Sequence, residues 1–312
     1  MRVLIFGASG YIGRHVARRL VADGHAVTAW VRNEAGAAIA VAAGASPKTG
    51  GMDDLTVLAD EAMAHDAVLW IAQLLLEGER RVVHAMLEAL EGTGRLFVFT
   101  SGASLLSTRT NGDWIENNYA EDEPFIPRRQ IAPRLEIETM VRGYAERGVR
   151  AVVVRPPLVW GHGGSKVIAD LFHSGTSTGA VCYVGRGLNL YSSIHVDDLA
   201  DLYARVLDRG AAGALYHAVS GETAFRTMAE AVAQTLNLPT RSISVAESIE
   251  VWDKFTGPIV FSGCSRTRSP RARADLGWAP DETRLDIIEE CRNRAYVTSE
   301  PRATPPWMRD SS

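Results

Sequence analysis

The stretch LIFGASGYIGRHVARRL, residues 4–20, constrains the fold more than any other part of the chain. An apolar run leads straight into Gly7, Gly10 and Gly13 at GxxGxxG spacing, after which Ile12, Val16 and Leu20 recur on one helical face. Strand, glycine turn and helix in that order bring free N–H groups and the positive end of a helix dipole to the turn. The glycines let a pyrophosphate approach the backbone there.

The same rhythm continues. RVLIF, AVTAWV, AVLWI, RLFVF and RAVVV are near-continuous apolar runs of the kind buried on both faces of a parallel sheet. Helix-length amphipathic segments separate them, with Val82, Met86 and Leu90 repeating the one-face spacing. The alternation predicts an α/β fold, a doubly wound parallel Rossmann sheet with a smaller, discontinuous α/β substrate domain. Residues 1–160 and 187–221 are assigned to the NADP-binding Rossmann domain, because ALYHAVS reads as a strand returning to the sheet. Residues 161–186 and 222–300 are assigned to the substrate domain, and 301–312 to a loose tail. Asp197 or Asp198 is placed to cap the helix in SSIHVDDLADLYARVL.

Charge and composition narrow the function. With 46% apolar and 22% charged residues and a net charge of −4, the chain has ordinary globular composition. Basic residues are scattered, so no nucleic-acid footprint is present, and no apolar run reaches membrane-spanning length. The strand pattern beginning at Arg2 leaves no room for a leader, so the expected location is the cytoplasm. Cys182, Cys264 and Cys291 lack metal-ligand spacing and read as buried thiols, and no metal site is expected. Only Lys48, Lys166 and Lys254 among the 33 basic residues are lysine, an arginine bias that fits a GC-rich genome.

The end of the second strand bears on the cofactor. An NAD site wants an acid there to bond the ribose 2′-hydroxyl, whereas WVRNE offers Arg32, which suits a 2′-phosphate. NADP(H) is therefore the expected cofactor.

Together these stretches resemble the extended, or atypical, short-chain dehydrogenase/reductase superfamily, of the NAD-dependent epimerase/dehydratase type. GASGYIG is similar to its nucleotide loop, HDAVLWIAQ to its fourth strand, and LFVFTSGASLLS to its fifth strand and active-site loop. AEDEPFIP, VVVRPPLVWGHG, SSIHVDDLA and RARADLGWAP are similar to later signatures, in the right order. The resemblance implies that Gly7, Ser9, Gly10, Tyr11, Ile12 and Gly13 meet the pyrophosphate and that Ile71, Ala72 and Gln73 flank the ribose. It puts Thr100 and Ser101 under the nicotinamide with Pro156 and Leu158 opposite; the family's adenine-contacting aspartate falls on Gly51, with Asp53 and Asp54 close by but shifted.

The active site departs from the pattern. The family's serine or threonine position falls on Gly102, with Ser101 and Ser104 as neighbours. No tyrosine in the chain is followed by a lysine four residues on. Taking Glu138 as the family's helix glutamate makes Arg134 the counterpart of the lysine and Gln130 that of the tyrosine. Ser101, Ser104, Gln130 and Arg134 are accordingly the candidate catalytic residues, with Arg134 also a ribose anchor. Glutamine donates a hydrogen bond but gives up no proton at neutral pH, and guanidinium is a poor acid. The proton of a carbonyl reduction would come from water through Ser101 or Ser104, from His195 or Tyr191, or from a hydroxyl on the substrate.

The resulting expectation is an NADPH-dependent ketoreductase acting on a small aromatic secondary metabolite, since atypical members of the superfamily tailor aromatic polyketides of the angucyclinone type. Phe172, Tyr183, Tyr191, Trp252 and Phe255 offer stacking surfaces for such a molecule. A non-catalytic NADP-sensing, partner-binding protein is the alternative. A nucleotide-sugar epimerase or dehydratase is a poorer fit, because Gln130 is no base. A monomer or homodimer is expected.

Overall fold

A computed structural model describes residues 1–284 and 286–297, so the expected tail 301–312 and residues 298–300 lie outside the described residues. Seven parallel strands form the main sheet. The chain enters with β1 (Arg2–Phe6), α1 (Tyr11–Ala22), β2 (Ala26–Val31), α2 (Glu34–Ala42), β3 (Ser46–Thr49) and α3 (Leu55–Ala64). It continues through β4 (Ala67–Trp70), α4 (Leu76–Ala89), β5 (Leu96–Thr100) and α5 (Ala132–Gly143). Across the sheet the order is β3, β2, β1, β4, β5, then the strands Arg150–Arg155 and Leu215–His217. The order reverses between β1 and β4, and in such sheets ligands bind at the carboxyl ends of the strands at that point.

Alternate residues of each strand feed two cores. Val3, Ile5, Leu69, Val98 and Val152 face one side, against α1 and the helix Val196–Arg209. Leu4, Phe6, Trp70, Phe97 and Phe99 face the other, against α3, α4 and α5. This two-residue period explains the unbroken apolar runs, since both faces are covered.

A third core collects Phe172, Val181, Tyr183, Phe225, Met228 and Phe261. It lies around the helices Lys166–Thr178 and Phe225–Leu236 and the parallel pair Val181–Val184 with Thr240–Ile243. One part of 222–300 departs from the expected partition. The helix Pro270–Leu276 packs Ala272 and Leu276, with Trp278 beyond it, into the sheet core. The Trp278 indole N–H also donates to the Asp198 carbonyl at 3.1 Å. No helix among the described residues is long and apolar enough to cross a membrane.

Candidate functional site

A cleft of about 530 Å³ opens at the carboxyl ends of the strands. The glycine turn forms its floor. Gly7 has φ +87°, and a Cβ there would lie 2.7 Å from the Ala72 nitrogen. A Cβ on Gly13 would lie 2.1 Å from the Gly7 carbonyl oxygen, so helix and strand approach this closely only without side chains. Gly10 caps α1 and no side chain caps the helix there, which leaves a helix start open to an anion.

Most of the expected positions line this one cleft. Gly7, Ser9, Gly10, Tyr11, Ile12 and Gly13 lie along the turn, and Arg32 at the end of β2. Ile71, Ala72 and Gln73 follow β4, Thr100, Ser101 and Ser104 follow β5, and Pro156 and Leu158 lie opposite. Arg32 is exposed and, among the described residues, meets no carboxylate at ion-pair distance. The Thr100 hydroxyl lies 2.5 Å from the Tyr203 hydroxyl. The Ser101 hydroxyl oxygen is shielded from solvent and finds no hydrogen-bond partner among the described residues. A buried polar atom of this kind is costly unless something else meets it.

Three expected residues are placed elsewhere. Arg134 is buried beneath the cleft, not in it. Its guanidinium pairs with Glu79 on α4, donates to the Thr100 carbonyl at 2.8 Å and lies 4.9 Å from the centre of the Phe99 ring. Glu79 also accepts from the Trp70 indole N–H at 2.8 Å. Arg134 therefore supports the end of β5, and its side chain is not among those that line the cleft. Gln130 is exposed and off the helix, because Pro133 fixes the first turn of α5 and the residues before it leave the helical path. Asp53 is exposed and does not line the cleft, whereas its neighbour Met52 does. The Trp30 indole N–H, donating to the Gly51 carbonyl at 3.2 Å, sets that turn.

Glu138 lies one turn beyond Arg134 on the same buried face of α5. It holds Arg155 through both carboxylate oxygens, each 3.0 Å from Nε. His195 is the N-cap of the helix Val196–Arg209, where its Nδ1 accepts from the Asp197 N–H at 3.2 Å. Burial pushes its pKa down to about 4, with the nearby Asp197 charge working the other way. It does not line the cleft. Of the five aromatics considered for stacking, Tyr191 alone lines the cleft. Phe172 stacks on Tyr296 in the third core, where Tyr183 also packs, Trp252 stacks on Phe261, and Phe255 packs with Ile131 and Ile259.

The structure adds residues that spacing did not single out. Lys166, Ser165, Val167, Val260, Trp30 and Met52 line the cleft. Ser165 caps the helix that Lys166 begins, and the Lys166 ammonium donates to Asp170 one turn on at 2.6 Å. Burial pushes the Asp170 carboxyl up to about 6, with the Lys166 charge pulling it back. A serine cap followed by an i, i+4 lysine–aspartate pair is a visible signature, but nothing in it says which way the lysine faces. Burial likewise pushes the Tyr191 phenol up to about 12, with a bond to Ser265 and the Arg128 charge opposing. That phenol keeps its proton at neutral pH. Among the described residues no carboxylate lines the cleft, and its charged side chains are Arg32 and Lys166.

Known proteins share this architecture. An uncharacterized protein of Schizosaccharomyces pombe is 32% identical over 306 residues, covering 95% of this chain and 100% of its own. A 4-hydroxy-2-methyl-3-oxo-4-farnesyl-3,4-dihydroquinoline-1-oxide ketoreductase of Stigmatella aurantiaca is 28% identical over 233 residues, 71% of this chain and 69% of its own. The crystal structure of dTDP-glucose 4,6-dehydratase from Bacillus anthracis in complex with NAD superposes with a TM-score of 0.74. It covers 94% of each chain at 14% identity, a likeness of fold. Residues 3–220 match the model of the NAD dependent epimerase/dehydratase family, and the chain belongs to that family.

Proposed function

We propose that the protein is an NADP(H)-dependent reductase of a small-molecule carbonyl, with an aromatic secondary metabolite as substrate. The observation that carries this reading is the charge of the cleft, which has Arg32 and Lys166 and, among the described residues, no carboxylate. An acid at the end of β2 would repel a 2′-phosphate, whereas the guanidinium of Arg32 grips one with two parallel hydrogen bonds. The open start of α1 suits the pyrophosphate, and the partnerless Ser101 hydroxyl suits a polar group of a bound molecule.

A bound nicotinamide ring supplies the hydride. The chain's part is to hold the carbonyl and neutralise the charge that grows on its oxygen. Of the hydroxyls that line the cleft, we assign Ser104 and the protonated Tyr191 phenol as donors to that oxygen, with water or a hydroxyl of the substrate refilling the proton. Tyr191 thus takes the role left open by the missing tyrosine–lysine pair. The ketoreductase named among the relatives acts, by its name, on a cyclic oxo compound, which supports a ring-bearing ketone here.

The test pairs cofactor binding with turnover. A charge-assisted hydrogen bond is worth about 1.5–3 kcal/mol, so Arg32→Ala weakens NADPH binding about 10- to 100-fold and leaves NADH nearly unchanged. Wild type consumes NADPH with at least one member of a panel of hydroxylated aromatic ketones. Equal loss for both cofactors would remove the clamp. Binding of NADPH without turnover of any ketone would favour a cofactor-sensing protein instead.

A further inference from the structure

We propose that His15, His162 and Asp197 form a site for a divalent transition metal, with zinc(II) the best fit, in a hollow beside α1 distinct from the cleft. The three donor atoms lie within 4.8 Å of one another. His15 Nδ1 is 3.0 Å from one Asp197 carboxylate oxygen, and His162 Nε2 is 2.8 Å from the other. With metal–ligand bonds of about 2.0–2.2 Å, adjacent donors of a tetrahedral site lie roughly 3.3 Å apart, so the aspartate already stands at ligand distance from both imidazoles. Two imidazoles and a carboxylate are a borderline donor set that suits zinc(II) well.

The surroundings fit. His15 is 5% exposed and fixed on α1, while His162 stands at the surface, with the two rings stacked at 5.0 Å. Both line a separate hollow of about 530 Å³, which leaves room for a water as fourth ligand. Of the three arginines that line the hollow, Arg19 pairs with Asp201 and Arg284 with Asp198, while Arg18 meets no carboxylate at ion-pair distance among the described residues. The Asp197 backbone N–H donates to His195 Nδ1 at 3.2 Å, the cap that fixes the start of the helix carrying the Asp197 carboxylate. His162 also adopts φ +52°, between Gly161 at +114° and Gly163 at +69°. A non-glycine residue in the left-handed region costs about 1–2 kcal/mol, and such conformations cluster at functional sites.

The ligands come from three segments far apart in sequence: α1, the turn 161–164 and the start of the helix Val196–Arg209. A metal there would clasp the nucleotide loop's helix to the turn that leads into Lys166, independently of any reductase activity.

The experiment uses the full chain, stripped with a chelator and titrated with zinc(II) against a chromophoric competitor, with metal analysis and thermal unfolding alongside. Wild type should take up one zinc(II) per chain and unfold at higher temperature when loaded. His162→Asn tolerates the positive φ, removes the imidazole at an exposed position and should weaken binding at least tenfold, as should Asp197→Asn. His84→Asn, at an exposed histidine beside Glu88, should change nothing. Absence of stoichiometric uptake by wild type, or uptake by His162→Asn equal to wild type, would overturn the assignment. Loss of uptake in His84→Asn alone would reduce the binding to an adventitious surface pair.

Discussion

Replacing Arg134 with methionine keeps much of the side-chain volume but leaves the Glu79 carboxylate, which is 0% exposed, with the Trp70 indole N–H as its remaining side-chain donor among the described residues. Removing one partner of a buried ion pair costs about 3–5 kcal/mol, because the other charge stays desolvated. Unfolding entropy near 2.1 cal/mol/K per residue over 312 residues gives about 0.65 kcal/mol/K, so Tm should fall by about 5–8 °C. The loss should depend on pH. Burial already pushes the Glu79 carboxyl up, and the Arg134 charge is the main influence opposing it. Without Arg134 the folded pKa rises further, so the variant keeps most stability at low pH and loses it as pH rises through that pKa. The assay is thermal unfolding of wild type, Arg134→Met, Glu79→Gln and the double variant at pH 5 and pH 8, beside NADPH titration. The double variant should regain most of the loss, since the amide oxygen introduced by Glu79→Gln still accepts from Trp70 and no charge is stranded. If Arg134→Met left Tm within about 1 °C of wild type while weakening NADPH binding tenfold, the guanidinium would serve the cofactor and the structural role would be wrong.

Three further outcomes are expected. Tyr191→Phe removes a cleft hydroxyl without altering the ring and should lower ketone turnover about 10²–10⁴-fold with NADPH binding retained; unchanged turnover would assign the proton to Ser104, water or the substrate. Asp170, with a folded pKa pushed up to about 6 from 3.8, adds stability below about pH 4 that is lost as pH rises through 6. Between pH 4 and 7 the balance should therefore shift by roughly 3 kcal/mol in favour of Asp170→Asn, and parallel urea-unfolding profiles would contradict the burial argument. His217 is fully buried as the neutral ring, with Nδ1 3.1 Å from the Arg268 carbonyl and Nε2 3.4 Å from Arg155 Nη1. Burial first, then Arg155, pushes it down to about 4, so its contribution is present above pH 6.5 and lost as pH falls from there to 4. His217→Gln should flatten that limb of the stability profile.

The sheet and the cofactor floor were legible because each rests on local, repeated signals. Apolar runs report strands covered on both faces, and three glycines between a strand and a helix admit few other readings. The register of α5 was legible too, since Arg134 and Glu138 do share a face. Their burial was not, because charged residues at that spacing ordinarily mark a solvated face. Their partners Glu79 and Arg155 belong to other elements, and no local pattern names them. Gln130 was misplaced for a visible reason: Pro133 marks where the helix begins, and counting a turn back past it assumes a helix that is not there. The His15, His162 and Asp197 cluster is assembled by the fold from segments up to 182 residues apart, beyond the reach of any spacing rule.

Tyr11 belongs to the glycine turn, yet its hydroxyl donates across to the Gly161 carbonyl at 2.7 Å. Its ring fills the place where a Cβ on Gly164 would fall, 1.8 Å from Cε2. Positions 11 and 164 therefore share one volume. A side chain added at 164 alone would collide with the Tyr11 ring, whereas a smaller residue at 11 opens the space that a larger one at 164 needs. Redesign of the cleft has to treat the two as a single variable.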